Sequence, residues 1–408
     1  MTANPDPKPV GYRWVVLAAY SVLSIVIEVQ WLTFAPIASA AQGYFKVSSF
    51  PIDLLSLVYM IVFIFVCIPA SYVIDRYGLK IGVGLGAVLT GIFGVMKGVF
   101  ASDYTLVLIA QIGLATAQPF ILNAVTKIGV TWFPLGERAT AAGIATLAQY
   151  IGFIVAMILT PHLIASPVPG TFELRGMLMV YGIASLVAAV GFLVLMRDHP
   201  SAPPSAADKG DRFKVFQGLR LVLKNRDMLL MLGLFFLGLG MFNAISTCIE
   251  KVCRGLTVDQ AGIVGGAMLI GGIVGAAVLP TISDRIRRRK RILVLCTIGM
   301  LPGVVGLTVL SGFVPLLLAA ACFGFFLLSA GPIGFQYGAE LARPAPESTV
   351  QGLLLLAGQI SGILFVIAVD KTGIAASMAA FVVMAVIIVV LAALMKESPL
   401  MVRTASLR

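Results

Sequence analysis

Ionisable residues are so widely spaced in this chain that the gaps between them dictate what solvent it folds in. Uncharged stretches lie between the charges at the ends of 53–75, 80–97, 103–127, 138–173, 175–197, 227–250 and 259–284. Between Arg291 and Glu340 there are 48 uncharged residues, room for two helices turning near 311–315. A helix needs about 20 mostly apolar residues to cross hydrocarbon. Residues 13–46, broken only by Glu28, and stretches 347–370 and 371–396 complete a set of twelve. Lipid offers backbone N–H and C=O groups no partner, and among open chains only the helix satisfies them within itself. The expected fold class is therefore an all-α integral membrane protein with twelve transmembrane helices.

Composition excludes the alternatives. Only 12% of residues are charged, where a soluble domain carries about a quarter, so neither a soluble enzyme nor a disordered regulator fits. The net charge of +11 raises nucleic acid as a partner, but the membrane explains the sign better, because cytoplasmic loops collect Lys and Arg. With the N-terminus placed inside, six of the 29 basic residues fall at outer ends or loops: Lys46, Lys97, Arg175, Lys251, Arg254 and Lys371. The opposite orientation would put the majority outside. Both termini are thus expected to be cytoplasmic, the membrane to be the cytoplasmic (plasma) membrane, and nucleic acid to be no partner. Ala38-Ser39-Ala40 resembles a cleavage site, but the apolar run before it is long and contains Glu28, so a retained first helix is expected.

Chemistry that an enzyme would need is missing from the sequence. There is no G-x-x-x-x-G-K-[ST] phosphate loop and no G-x-S-x-G elbow. His162 and His199 are far apart, and Cys67, Cys248, Cys253, Cys296 and Cys322 have no metal or disulfide spacing. The expectation is no enzyme, no cofactor and no metal site.

The chain reads as six spans plus six. The domains are expected at 1–196 and 227–408, with a cytoplasmic linker over 197–226. The linker opens His199-Pro200-Ser201-Ala202-Pro203-Pro204, then alternates Phe213, Phe216 and Leu223 with Arg212, Lys214, Arg220 and Lys224. That pattern suits either a short helix on the membrane surface or a solvated loop. The halves echo each other. Asp75-Arg76 follows the second span and Asp284-Arg285 the eighth; Glu137 precedes Gln149 by twelve residues, as Glu347 precedes Gln359. A repeated six-helix unit is the mark of a transporter with a midplane site.

The stretch Ser71-Tyr72-Val73-Ile74-Asp75-Arg76-Tyr77-Gly78-Leu79-Lys80 resembles the loop signature of the major facilitator superfamily, with Ser71 in place of a glycine and Leu79 in place of a basic residue. The resemblance implies two six-helix bundles, a monomer working by alternating access, and a conformational latch at Asp75 and Arg76, echoed by Asp284 and Arg285. More closely, Gln30-Trp31, the block from Ser49 to Met60, Ala117-Gln118-Pro119-Phe120-Ile121-Leu122, Gly334-Phe335-Gln336-Tyr337-Gly338-Ala339-Glu340 and Gln359-Ile360-Ser361-Gly362 resemble the feline leukaemia virus subgroup C receptor family. That family's link to choline and ethanolamine implies a small organic solute. Its choline site, carried over by position, implies substrate contacts at Trp31, Gln118, Asn243 and Gln359. Asn243 departs from the family, which has Tyr there, so one aromatic wall for a quaternary ammonium is missing.

The residues themselves single out Glu28. A carboxyl deep in a span is costly and marks a functional site by default. Trp31, three residues on, shares its helix face. Three roles fit Glu28: charge partner of a cationic substrate, proton carrier, or structural hydrogen bonder. No Lys or Arg is expected within the membrane interior, which argues against anionic substrates. Trp14 and Trp132 are expected to anchor at the interface. Gly262, Gly266, Gly271 and Gly275 are expected to let helices pack closely. The reading is a carrier of a small organic, cationic solute of the choline or ethanolamine kind. Its alternative is a proton-coupled exporter of drugs or of vitamin- or haem-like solutes.

Overall fold

The computed structural model describes residues 11–133, 138–164, 173–197, 224–286, 288–342 and 347–397, and every regular element among them is helical. The elements are α1 (Arg13–Leu32), α2 (Ala38–Phe45), α3 (Ser49–Tyr77), α4 (Leu79–Val99), α5 (Tyr104–Leu122), α6 (Val125–Trp132), α7 (Arg138–Ile164) and α8 (Leu174–Leu195). There follow α9 (Arg226–Thr247), α10 (Ile249–Val252), α11 (Val258–Ile286), α12 (Arg289–Val309), α13 (Phe313–Leu341), α14 (Glu347–Thr372) and α15 (Ile374–Leu394). Twelve helices are long and apolar enough to cross a membrane, with α1 and α2 together making the first.

Helix ends fall where the sequence supplies a reason. The Asp103 carboxylate accepts from the N–H groups of Thr105 and Leu106 and so caps α5, and Asn225 caps α9 in the same way. α3 passes into α4 through Gly78 alone, at φ 91, a conformation that costs glycine nothing. The first span is broken differently. α1 runs unbroken through Glu28 and ends at Leu32, and a short 3₁₀ turn at Ala35–Ile37, containing Pro36, leads into α2. Proline has no N–H to continue the helical ladder.

The chain divides into two units, one holding α1 to α8 and the other α9 to α15. In the first unit α1 packs on α7, α3 on α5, and α4 on both α5 and α8. In the second, α9 packs on α14, α11 on α13, and α12 on both α13 and α15. The same pairing of spans recurs, which is the structural counterpart of the sequence echo.

Small residues set the closest approaches. A Cβ built on Gly182 of α8 would lie 2.6 Å from the Gly94 carbonyl of α4. Gly271 and Gly275 of α11 lie directly against the Ala321 and Phe325 carbonyls of α13, as expected for this stripe. Outward faces carry Phe65, Ile68 and Val194, all strongly exposed, as suits residues meeting lipid. In the second unit Arg289, only 2% exposed, pairs with Glu340 at 3.4 Å and reaches the Ser283 hydroxyl. None of the five cysteines forms a disulfide.

Two expectations need correction. Trp132 is no interfacial anchor: it is buried, its ring 6.3 Å from that of Tyr12, whereas Trp14 is exposed. Lys97, expected at an outer end of its span, does lie in the last turn of α4, but it turns inward and is fully buried in the first unit instead of reaching outward. Arg76 and Arg285 are exposed; the side chains of Asp75 and Asp284, and the linker segment 198–223, lie outside the described residues.

Adding a methyl at Gly182 must separate α4 from α8. Gly182→Ala is expected to cost about 1–3 kcal/mol, the usual range for overpacking, lowering the thermal midpoint of the detergent-purified protein. Gly191→Ala, which meets nothing within 4 Å, should leave that midpoint unchanged. Between the seventh and eighth spans, burial and the Glu250 carboxylate push the Cys253 thiol up to about 12. At pH 8 it therefore stays protonated as well as covered. A maleimide should leave Cys253 unlabelled in the folded protein and label it on unfolding, read by peptide mass.

Candidate functional site

The α1 register puts Glu28 and Trp31 into the interior of the first unit, and both are almost fully buried. α5 meets them there. Gln118 Nε2 donates to Glu28 Oε2 at 3.1 Å, so among the described residues the carboxylate's hydrogen-bond partner is a neutral donor. On α7, Gly152 leaves room for α1: a Cβ built there would lie 2.8 Å from the Glu28 Cβ. Tyr20 and Tyr59 both lie within electrostatic reach of the carboxyl group. The Tyr20 hydroxyl itself donates to the Ile121 carbonyl at 2.7 Å, fastening α1 to the last turn of α5.

Trp31 is held by its ring nitrogen. Nε1 donates to the Ser56 carbonyl of α3 at 3.1 Å, which fixes the indole plane. Phe153 of α7 meets the indole edge-on with centroids 5.3 Å apart, and Tyr59 of α3 lies at 6.4 Å. The indole one turn from the buried carboxyl thus has two further aromatic rings against it. Tyr59 and Phe153 were not legible as site residues, since one aromatic among many in an apolar span carries no mark of its role.

Asn243 and Gln359 belong to the second unit. Asn243 Nδ2 donates to the Gly358 carbonyl at 3.2 Å, beside Gln359. The Gln359 Oε1 atom is buried and has no hydrogen-bond partner among the described residues. The structure therefore groups the five sequence candidates as Glu28, Trp31 and Gln118 in one unit, and Asn243 and Gln359 in the other. Asn123, another amide in a span, ties α5 to α3 through the Cys67 carbonyl and the Ser71 hydroxyl.

A second polar cluster lies further along α1, α4 and α5. Lys97 Nζ donates to Gln111 Oε1 at 3.2 Å, and to the Gln30 carbonyl and Thr33 Oγ1 at 3.4 Å each. It also sits 5.3 Å from the Phe34 ring centroid. Gln111 Nε2 donates to the Leu55 carbonyl at 2.9 Å, and its Oε1 accepts from the Tyr59 hydroxyl at 3.5 Å. The sequence did hold one clue to Lys97: it lies between Gly94 and Gly98, and small neighbours let a long side chain turn inward.

The sequence model of the Major Facilitator Superfamily matches residues 18–366. The chain belongs to the Major Facilitator Superfamily. It is accordingly an integral membrane transporter of small solutes, and not an enzyme. Solute carrier family 49 member A3 of Danio rerio is 30% identical over 372 residues, covering 87% of this chain and 77% of that protein. Choline/ethanolamine transporter FLVCR1 of Felis catus is 28% identical over 379 residues, covering 88% and 67%. The resemblance to the feline leukaemia virus subgroup C receptor family therefore extends over most of the chain. Among solved structures, a bacterial homologue of the human lysosomal transporter Spinster, inward-facing and unoccupied, superposes with a TM-score of 0.71. It is 16% identical and covers 94% of this chain and 96% of that one; at that identity it supports the fold alone.

Gln118 is the Glu28 carboxylate's donor, so removing it leaves a buried acceptor unpaired. Gln118→Met is expected to cost about 1–3 kcal/mol, measured as a fall in the thermal midpoint. In a Glu28→Met background the same change should cost much less, and the difference gives the coupling directly.

Proposed function

We propose that this transporter carries a small organic cation of the choline or ethanolamine kind, and that the first unit provides its principal contacts. The observation that supports this most is the buried Glu28 carboxyl one helical turn from Trp31, whose indole packs against the rings of Tyr59 and Phe153. A carboxylate supplies the counter-charge for an ammonium group. Aromatic faces attract the same group by their quadrupoles and tolerate its methyls. The wall lost where Asn243 replaces an aromatic residue is offset by Tyr59 and Phe153 within the first unit. The names of the relatives that transport choline and ethanolamine agree with this chemistry.

The same reading has the carrier work as a monomer in the plasma membrane by alternating access, with both termini cytoplasmic. The loops at Asp75-Arg76 and Asp284-Arg285 would act as latches between states.

Uptake of radiolabelled choline and ethanolamine into proteoliposomes tests the proposal. Saturable flux is expected for the wild type. Glu28→Gln should raise KM more than tenfold. Trp31→Leu should raise it roughly tenfold, the equivalent of about 1–2 kcal/mol of desolvated cation–π attraction. Absence of flux with both solutes, or a Glu28→Gln variant with wild-type KM, would overturn the assignment.

A further inference from the structure

Lys97 is the basic side chain that the cation-binding reading leaves unused, and its surroundings are unusual for a charge. All the partners the structure gives it are neutral: two side-chain oxygens, one backbone carbonyl and one aromatic face. The hydrogen bonds are long for an ammonium group, 3.2 to 3.4 Å, and the side chain is wholly shut off from the surface. Had the residue served only to bridge helices, a neutral amide would do so without burying a charge. Lysine differs from arginine in being able to give up its proton when held out of water.

Lys97 is also wired toward the cation site. Its acceptor Gln111 lies seven residues before Gln118, the donor to Glu28, on the same face of α5. Two turns of helix separate them by about 10 Å along the axis. Gln111 Oε1 is shared with the Tyr59 hydroxyl, and Tyr59 stands both beside Trp31 and within the field of Glu28. The titratable groups on the helices packed on α4 are Arg13, Tyr20 and Glu28 on α1, Asp53, Tyr59, Cys67, Tyr72, Asp75, Arg76 and Tyr77 on α3, Tyr104 on α5, and Arg175 and Tyr181 on α8. Of these, among the described residues, Tyr59 shares a hydrogen-bond acceptor with Lys97.

We propose that Lys97 is a proton site coupled to the cation site at Glu28, so that proton and organic cation exclude one another and the carrier exchanges one for the other. The inference rests on the cation-carrier reading above. With the site empty, the ammonium form of Lys97 is the positive charge that faces the Glu28 carboxylate across the Gln111–Tyr59 bridge. A cation arriving at Glu28 and the three rings brings a second positive charge into the same dry bundle. Lys97 then releases one proton to water and remains as the neutral amine. When the cation leaves, the amine takes up one proton. One positive charge enters for each that departs. At about 10 Å and an effective dielectric near 20, the mutual repulsion amounts to on the order of tenfold in affinity.

The test measures radiolabelled choline binding to the purified full-length protein between pH 5.5 and 9, with flux in proteoliposomes alongside. Wild-type affinity should rise about tenfold with pH. Lys97→Met should bind at the tight limit with no such pH dependence, and Lys97→Arg at the weak limit, also flat. An imposed pH gradient should drive choline accumulation by the wild type. Lys97→Met should lose that response while still exchanging labelled for unlabelled choline. Lys97→Gln, which keeps a side chain able to bond Gln111, serves if the Met variant does not fold, and should match the Met prediction. A neutral variant with the wild-type pH profile and gradient response would overturn the proposal, as would Lys97→Arg binding as tightly as Lys97→Met. Wild-type choline binding that is tight but independent of pH would overturn it and leave the cation reading intact. No choline binding by the wild type would overturn both.

Discussion

Polar groups buried within membrane spans have only each other to bond, and most of what distinguishes the first unit follows from that. Gln111 shows how strict the condition is. Its amide donates to α3 at the Leu55 carbonyl, and its oxygen accepts from Lys97 of α4 and Tyr59 of α3. One side chain on α5 thereby fixes the positions of two neighbours. Gln30 does similar work from α1, donating to the Ser185 hydroxyl at 2.8 Å and to the Tyr181 carbonyl on α8. In water such bonds would replace equally good ones and add little. In a lipid-embedded bundle the alternative is an unpaired polar atom, so each bond also specifies helix register. The Glu28–Gln118 contact is one member of this set.

The helical framework was legible in the sequence because charge is a blunt signal in a membrane. A Lys or Asp at the wrong depth is expensive, so the gaps between charges trace the spans. α12 ends at Val309 and α13 starts at Phe313, bracketing the turn placed near 311–315. Glu28 and Gln118 were legible for the same reason: they are polar where polarity is costly. What the sequence could not convey was direction. Counting along the chain placed Lys97 near a helix end, where a lysine ordinarily reaches for the interface. Gly94 and Gly98 leave space on either side, and Gln30, Thr33 and Gln111 offer oxygens inward. Tyr59 and Phe153 acquire meaning only from α3 and α7 meeting α1. Trp132 was misread because tryptophan near a span end suits the interface equally well, and only packing against Tyr12 separates the two.

The two units use one pairing scheme but differ in where they bury charge. The first hides Glu28 and Lys97 among neutral partners. The second pairs Arg289 with Glu340 directly, at the start of α12 and the end of α13. A paired charge is held, and removing one partner is costly.

The break in the first span carries a mechanical consequence. Glu28 and Trp31 sit on the last turns of α1, and the ladder of backbone bonds is interrupted just beyond them at Ala35–Ile37. The first span is thus two levers joined at a wrist rather than one rod. The longer lever is pinned by Gln30, Tyr20 and Trp31 to α8, α5 and α3. The shorter, α2, has its own anchor: the Phe45 ring packs on Phe34 and on Tyr104 of α5, so the two pieces of the span are held by different neighbours.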